Sequence, residues 1–225
     1  MKCLVCLFMV ALCASLFSCS NDAETGATYN KTFITGYMNP EQVVVESIDA
    51  GVEVTFRGDV ITSGDVFDDL SKAYNDLSYN RYTTCGPRIA ISDALSLIKV
   101  ETIEYFDATH QAGSDISDLI ECQYISYYDY IQSGYKEAEK NLESYSDRME
   151  YYSIDGAKLF KYNLSGIDYS HMNLVAPNII FKFKQAPNKS GKYQFKLIFQ
   201  TKDNTIESLF ECEFWVLFVK KLNLY

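Results

Sequence analysis

The chain has 225 residues, of which 48% are hydrophobic, 22% charged and 15% aromatic, and its formal net charge at pH 7 is −10. This composition excludes a disordered tail and a collagen-like repeat, and it leaves room for one globular domain or two small ones. Nucleic acid is not an expected partner, because phosphate repels an acidic surface unless a local basic patch overrides it.

Residues 1–18 have the pattern of a secretory signal peptide. Lys2 is followed by an apolar run from Cys3 to Phe17 that only Ser15 interrupts. A helix needs about 20 apolar residues to cross a bilayer, so this run is too short for a permanent anchor. A short basic start, an apolar stretch and then small residues are typical of a segment that directs export and is removed.

The sequence Leu16-Phe17-Ser18-Cys19 resembles the lipobox of bacterial lipoproteins. In that family the signal peptide is cut before the cysteine, whose thiol carries a diacylglycerol and whose new amino group is acylated. Ser18 has the small size that the family requires, whereas Phe17 is bulkier than the usual residue. The resemblance implies lipidation at Cys19 and anchoring to the outer membrane, on its periplasmic side or at the cell surface. An ordinary signal peptide with an incidental cysteine is the alternative.

Residues 19–32 are polar and lack an apolar period, which predicts a flexible tether before a single domain at 33–225. A lipobox, a tether and a β-rich domain together resemble Bacteroidetes lipoproteins that carry a domain of unknown function. Residues 85–115 are the part most similar to that family. The resemblance implies a location but no particular activity.

Short runs of β-branched and aromatic residues, separated by Gly, Pro, Asn and Asp, predict a mainly β fold. We expect strands at 33–37, 42–47, 52–56, 88–92, 97–106, 178–184, 192–200 and 206–219. Two further stretches predict inserted helices. Residues 66–79 suit a short helix, and residues 135–152 contain strong helix formers with apolar side chains on one helical face.

The last two runs predict a hairpin with a two-residue turn at 203–204. This register places Phe195 opposite Cys212 on an apolar face and Lys196 opposite Glu211 on a charged face. A slip of one residue would turn the glutamates into the core, so we expect the register to be well specified.

The segment PNKSGKYQF (187–195) resembles the turn into the penultimate strand of immunoglobulin-like sandwiches. Gly191 and Tyr193 fit the Gly-x-Tyr pattern of that turn. The resemblance covers about the last 45 residues and implies an immunoglobulin-like antiparallel β-sandwich, with Tyr193 as a corner tyrosine that bonds back to the backbone.

Cysteine and histidine offer few catalytic patterns. Cys85, Cys122 and Cys212 remain after export and lipidation, and they allow at most one intramolecular disulfide. His110 lies close to Asp107 and to a serine in EYFDATHQAGSD (104–115), so a hydrolase is one interpretation. Because no G-x-S-x-G elbow is present, a loop histidine with ordinary hydrogen bonds is favoured.

Two acidic groups have oxygen atoms that suit calcium, but neither has the spacing of a calcium-binding loop. Their members are Asp65, Asp68 and Asp69 in the first group and Asp115 and Asp118 in the second. Solvated or helix-capping carboxylates are therefore favoured. Residues 19–225 also lack a C-x-x-C zinc pattern, so we expect no metal and no cofactor.

Tyrosine is unusually abundant, with 18 in the chain. Aromatic faces stack on sugar rings, which makes Tyr127, Tyr128 and Tyr130 candidate glycan-binding residues. Packing between a helix and a sheet is the favoured alternative, since tyrosine suits half-buried positions.

We therefore expect a lipid-anchored envelope protein with a non-enzymatic binding or scaffolding domain. Its partners are the membrane, through Cys19, and a glycan or an envelope protein. A glycan-binding component of a carbohydrate-uptake system and an envelope hydrolase are the alternatives.

Overall fold

The computed structural model of the protein describes residues 28–49, 51–83, 87–136 and 158–215. Its strands are β1 (Thr28–Asn30), β2 (Gly36–Met38), β3 (Gln42–Ile48), β4 (Gly51–Arg57), β5 (Val60–Ile61), β6 (Arg81–Thr83), β7 (Ile89–Ile91), β8 (Leu97–Thr102), β9 (Ile120–Ser126), β10 (Lys158–Asn163), β11 (Val175–Phe183), β12 (Gly191–Gln200) and β13 (Thr205–Phe214). The helices are α1 (Asp65–Ala73) and α2 (Tyr128–Gln132). Short 3-10 turns lie at Ser117–Leu119, Leu164–Gly166 and Tyr169–His171.

Two antiparallel sheets face each other across the main hydrophobic core. The larger sheet has the strand order β10-β9-β11-β4-β3, and the smaller has the order β13-β12-β8. Rings from the two sheets meet between them: the centroids of Phe56 and Phe199 are 4.6 Å apart, and those of Phe183 and Phe195 are 5.2 Å apart. This arrangement confirms the predicted mainly β, antiparallel β-sandwich with inserted helices.

A third layer covers the opposite face of the five-stranded sheet. It contains α1, α2 and a small sheet of order β5-β2-β7, in which β2 and β7 run parallel. A second hydrophobic cluster joins Phe33, Tyr37 and Phe67 of this layer to Ile125 of β9 and Ile180 of β11. Strands β9 and β11 are therefore buried on both faces over most of their length, and they lack simple alternation of polar and apolar residues.

The C-terminal hairpin has the predicted faces but not the predicted pairing. Its turn has four residues, so that Phe195 lies opposite Phe210 and not opposite Cys212. The two-residue turn was wrong because the hydroxyl of Thr201 closes a wider turn, in which it accepts a hydrogen bond from the backbone N–H of Asn204 at 3.1 Å. A shift of two positions preserves the faces, and Cys212 is buried as predicted.

Tyr193 ties the turn before β12 to the strand. Its hydroxyl donates a hydrogen bond to the backbone carbonyl of Lys189 at 3.0 Å, which confirms the predicted corner tyrosine. The Tyr193 ring also packs edge-on against Phe106, with 5.8 Å between the centroids. One side chain therefore fixes the turn and fills the core.

The helices differ from their predicted bounds. α1 lies in the predicted stretch at 66–79 but ends at Ala73, because Asn75 adopts a positive φ of 59° that cannot continue a helix. The second predicted helix lies outside the described residues from position 137 onward, and α2 was not predicted. Within the described ranges, no helix is both long enough and apolar enough to cross a membrane.

The folded part of the chain begins earlier than predicted. β1 lies inside the segment assigned to the tether, at Thr28–Asn30, and pairs with Arg81–Thr83. The sequence did not predict this strand, because its three residues are too few to show a hydrophobic period. The predicted signal peptide at 1–18 and Cys19 lie outside the described residues.

A buried carboxylate fastens the segment before β2. Asp76 accepts hydrogen bonds from the backbone N–H groups of Phe33 at 2.7 Å and Ile34 at 2.8 Å, and from the hydroxyl of Tyr135 at 2.9 Å. Nε of Arg88 donates to the carbonyl of Phe33, and the guanidinium lies 4.8 Å from the centre of the Phe33 ring. We call these five residues the Asp76 clasp.

Both charges of the clasp are removed from water, since Asp76 is 0% exposed and Arg88 is 1% exposed. Burial raises the pKa of Asp76, and the hydrogen bonds and the charge of Arg88 partly offset this effect. Buried ionic groups are tolerated only when partners replace the lost water. Removal of the carboxylate therefore leaves two buried backbone N–H groups without their acceptor and takes away a negative charge that acts on Arg88.

We expect Asp76→Ala to lower the free energy of unfolding by about 3–5 kcal/mol, because it removes the buried charge that acts on Arg88 and leaves three buried donors without their acceptor. Urea denaturation of the wild type and the variant measures the difference. Asp69→Ala is the matched control: Asp69 is exposed on α1, and its loss should change stability by no more than about 0.5 kcal/mol. Equal effects of the two substitutions would contradict the role of the clasp.

Candidate functional site

The tyrosines proposed to stack on glycans do not form an exposed row. Tyr127 and Tyr130 are 1% and 5% exposed, and Tyr128 is half-buried. The ring of Phe33 meets Tyr127 and Tyr130 edge-on, at centroid distances of 5.7 Å and 4.9 Å. The hydroxyl of Tyr130 also accepts a hydrogen bond from Arg81 at 3.2 Å. Tyr127 and Tyr130 therefore pack the third layer and offer no free ring face to a sugar.

His110 lies between two carboxylates beside a hydroxyl. Its Nδ1 is 2.8 Å from Oδ1 of Asp107, and its Nε2 is 3.2 Å from Oδ1 of Asp118. The hydroxyl oxygen of Thr109 is 3.0 Å from Nδ1 and donates its proton to Asp107 at 2.8 Å. A histidine, an acid and a hydroxyl are thus brought together, as a hydrolase would need.

The order of these groups around the imidazole is not that of a catalytic triad. In a triad one ring nitrogen faces the acid and the other faces the nucleophilic hydroxyl. In this cluster Asp107 and Thr109 share Nδ1, while Nε2 faces Asp118. The backbone N–H groups of Thr109 and His110 also donate to Asp107, each at 2.8 Å. The geometry is that of a closed turn, which agrees with a loop histidine in a local hydrogen-bond network.

Electrostatics hold this turn together. Burial opposes ionisation of Asp107, but the hydrogen bonds from Thr109 and His110 prevail and lower its pKa to about 2. Burial likewise acts against protonation of His110, but the hydrogen bond to Asp107 and the charges of Asp107 and Asp118 prevail and raise its pKa. The imidazolium with its two carboxylates is a local ion-pair network.

The acidic residues considered as calcium ligands have other contacts. Asp65 and Asp68 lie in the first turn of α1, where negative charge is favourable, and Asp69 pairs with a lysine one turn later at 3.0 Å. Asp115 accepts a hydrogen bond from the backbone N–H of Ser117 at 2.8 Å. The described ranges contain no group of three or more His, Cys, Asp or Glu residues placed to hold a metal ion.

The cysteines of the domain are inert in their surroundings. Cys122 and Cys212 are both buried and free. Burial raises the pKa of each thiol, to about 12 for Cys212, so the reactive thiolate is scarce at neutral pH. Cys85 lies outside the described residues.

The best candidate site is a cavity of about 300 Å³ between the five-stranded sheet and the third layer. This volume is at the lower end of the range for small-molecule sites. Its apolar wall combines side chains from both layers, namely Met38, Phe56, Pro87, Ile89 and Pro177. A compact ligand with an apolar body fits such a wall.

An irregularity in β11 creates the opening. The pairing of β11 with β9 shifts between Val175 and Ile179, and Pro177 lies within the shift. Proline has no N–H to donate to a neighbouring strand, so it interrupts the ladder. Such irregularities are common next to functional sites because they redirect side chains. Here the sheet opens beside Tyr127, directly after the end of β9.

Among the described residues, the polar lining includes one cation and a fixed amide network. Arg57 is exposed at the end of β4, and its guanidinium has no hydrogen-bond or ion-pair partner among the residues that the structure describes. Asn178 is buried, and its Nδ2 donates to Glu53 and to Thr55, each at 3.0 Å. The cavity therefore joins a positive charge to an apolar wall, which suits an anionic group on an apolar molecule.

No sequence pattern singled out this cavity in advance. Arg57 follows a predicted strand and resembles an ordinary strand end, and the strand predicted at 178–184 began one residue after Pro177. The available signal was the proline between apolar residues at 175–180, which indicates a bulge or a strand edge. That signal locates the irregularity but not the residues that meet it from β2 and β7.

Comparison with known proteins adds no assignment to these observations. No family model matches the chain, and no curated protein or solved structure matches it. The function is therefore inferred from the geometry of the molecule itself.

We expect His110→Gln to destabilise the protein more at about pH 5.5 than at about pH 9. A raised folded-state pKa contributes stability that is fully present below the ordinary value of 6.5 and is lost as pH rises through the folded-state value. Asp107, whose pKa is about 2, stays ionised throughout this window. Thermal unfolding at the two pH values measures the difference.

The variant Asp118→Asn tests the source of the pH dependence. It removes the negative charge beside Nε2 and leaves the contact with Asp107, so the loss of stability between the two pH values should shrink without vanishing. If His110→Gln shifted the melting temperature equally at both pH values, the ion-pair network would be contradicted.

Proposed function

We propose that the protein is a lipid-anchored cell-envelope protein whose domain binds a ligand without transforming it. The lipobox-like sequence at 16–19 supports lipidation of Cys19 and attachment to the outer membrane. Several acyl chains on one residue anchor a protein durably. The folded domain follows closely, since β1 begins at Thr28.

The composition of the cavity is the observation that carries the binding role. Hydrolysis needs an activated nucleophile or water together with a positioned base. Among the described residues that line the cavity, Thr55 and Tyr127 carry hydroxyl groups and Arg57 carries a charge, but none is a histidine or a carboxylate. Such a lining supports recognition by shape and charge.

Anchoring is tested by Cys19→Ala. The variant should move from the membrane fraction to the soluble fraction in a bacterial host that processes lipoproteins, because the acylated thiol is lost. Cys13→Ala is the matched control, since this cysteine lies within the apolar run and should leave the membrane location unchanged. Retention of Cys19→Ala in the membrane would overturn the lipid anchor.

Ligand binding is tested by a melting screen on the full-length protein in detergent. The panel contains neutral glycans, uronic acids and apolar carboxylic acids. A ligand at ten times its Kd stabilises the folded state by about 1.4 kcal/mol. Pro87→Trp, at an exposed position on the cavity wall, should abolish this stabilisation because the indole fills the opening.

The outcome of the screen also separates the candidate roles. A hit that stabilises the wild type and Pro87→Trp equally binds elsewhere and contradicts the cavity as the site. Selective hits among neutral glycans would favour the carbohydrate-uptake role.

A further inference from the structure

We propose that the cavity selects compact monocarboxylates with an apolar body, and that Arg57 is the residue that recognises the carboxylate. The inference rests on the proposed function, because it names the ligand class of the same cavity. Three features support it: an uncompensated cation, an apolar wall and a small volume.

The positive charge of Arg57 favours a ligand with a negative charge. Arg57 has no partner in the described part of the chain, although the protein as a whole carries a net charge of −10. Repulsion from distant carboxylates is screened beyond about 8 Å at physiological ionic strength, so an anion inside the cavity is influenced mainly by the nearest charge. A guanidinium can bind both oxygens of a carboxylate with two parallel hydrogen bonds.

Glu53, which contacts the polar lining through Asn178, does not compete for this role. Glu53 accepts a hydrogen bond from Asn178, which also donates to Thr55. Glu53 is not among the residues that line the cavity. The guanidinium of Arg57 is therefore available to a bound anion.

The apolar wall of the cavity favours a ligand whose body is also apolar. A sugar ring needs partners for several hydroxyl groups, and each hydroxyl buried without one is costly. The side chains of Met38, Ile89 and two prolines on the wall make no hydrogen bonds, and Nδ2 of Asn178 already donates to Glu53 and Thr55. An aromatic or aliphatic body gains from contact with these side chains through the hydrophobic effect.

The number of cations in the cavity determines which net charge of the ligand is favoured. One guanidinium neutralises one negative charge, so a phosphate dianion would keep a second charge next to an apolar wall at a desolvation cost. A monocarboxylate leaves no such excess. The volume of about 300 Å³ further limits the ligand to a compact molecule.

The decisive experiment compares phenylacetate with phenylacetamide, which have the same shape but differ in charge. Saturation-transfer NMR on the full-length protein in detergent, with empty micelles as the blank, gives the affinity of each probe. We expect phenylacetate to bind about ten times more tightly than phenylacetamide, because a charge-assisted hydrogen bond contributes at least that factor. Inorganic phosphate should not displace phenylacetate.

Two variants test whether Arg57 causes the preference for phenylacetate over phenylacetamide. Arg57→Gln should abolish the difference between the probes, while Lys192→Gln removes one positive charge from the distant outer face of β12 and should preserve it. Four results would each overturn the inference. Two concern the variants and probes: Arg57→Gln keeps the preference for phenylacetate, or the wild type binds both probes equally. The other two are displacement of phenylacetate by phosphate, and no binding of phenylacetate at concentrations on the order of 10 mM.

Failure of this inference differs from failure of the proposed function. Equal binding of both probes that Pro87→Trp abolishes would keep the cavity as a binding site and remove only the selection by charge. Binding that survives in Pro87→Trp would remove the cavity itself.

Discussion

The hydrogen bonds that Asp76 accepts from Phe33 and Ile34 hold the beginning of the domain against its third layer. Without them, the segment that leads into β2 would have two buried N–H groups with no acceptor, at a cost that one strand of three residues does not offset. Arg88 holds the same segment by a hydrogen bond to the carbonyl of Phe33. The position of the small sheet therefore depends on a buried pair of charges as well as on apolar contact.

The clasp also determines the wall of the cavity. Arg88 faces the clasp, while its chain neighbours Pro87 and Ile89 line the cavity. Tyr127 contacts both regions, since its ring packs against Phe33 and it also lies on the cavity wall. A change that loosened the clasp would move these residues together.

The sequence predicted those features that depend on local alternation. The faces of the hairpin followed from a period of two, because burial of one face forces the pattern on both strands. The pairing did not follow, since Thr201 widened the turn and a shift of two positions leaves the pattern unchanged. β9 was missed because burial on both faces removes the alternation. The cavity was missed because Arg57 and Pro177 meet residues far away in the chain.

The size of the cavity also limits how tightly the proposed ligand can bind. Small ligands gain at most about 1.5 kcal/mol per heavy atom, and usually much less, so a site of about 300 Å³ favours moderate affinity and rapid release. For a protein fixed to a membrane, moderate affinity is compatible with capture and transfer, because neighbouring partners on the same surface have a high effective concentration. A tight and slowly exchanging site would instead retain each ligand. The balance between one guanidinium and a small apolar wall therefore favours moderate affinity for the proposed carboxylate.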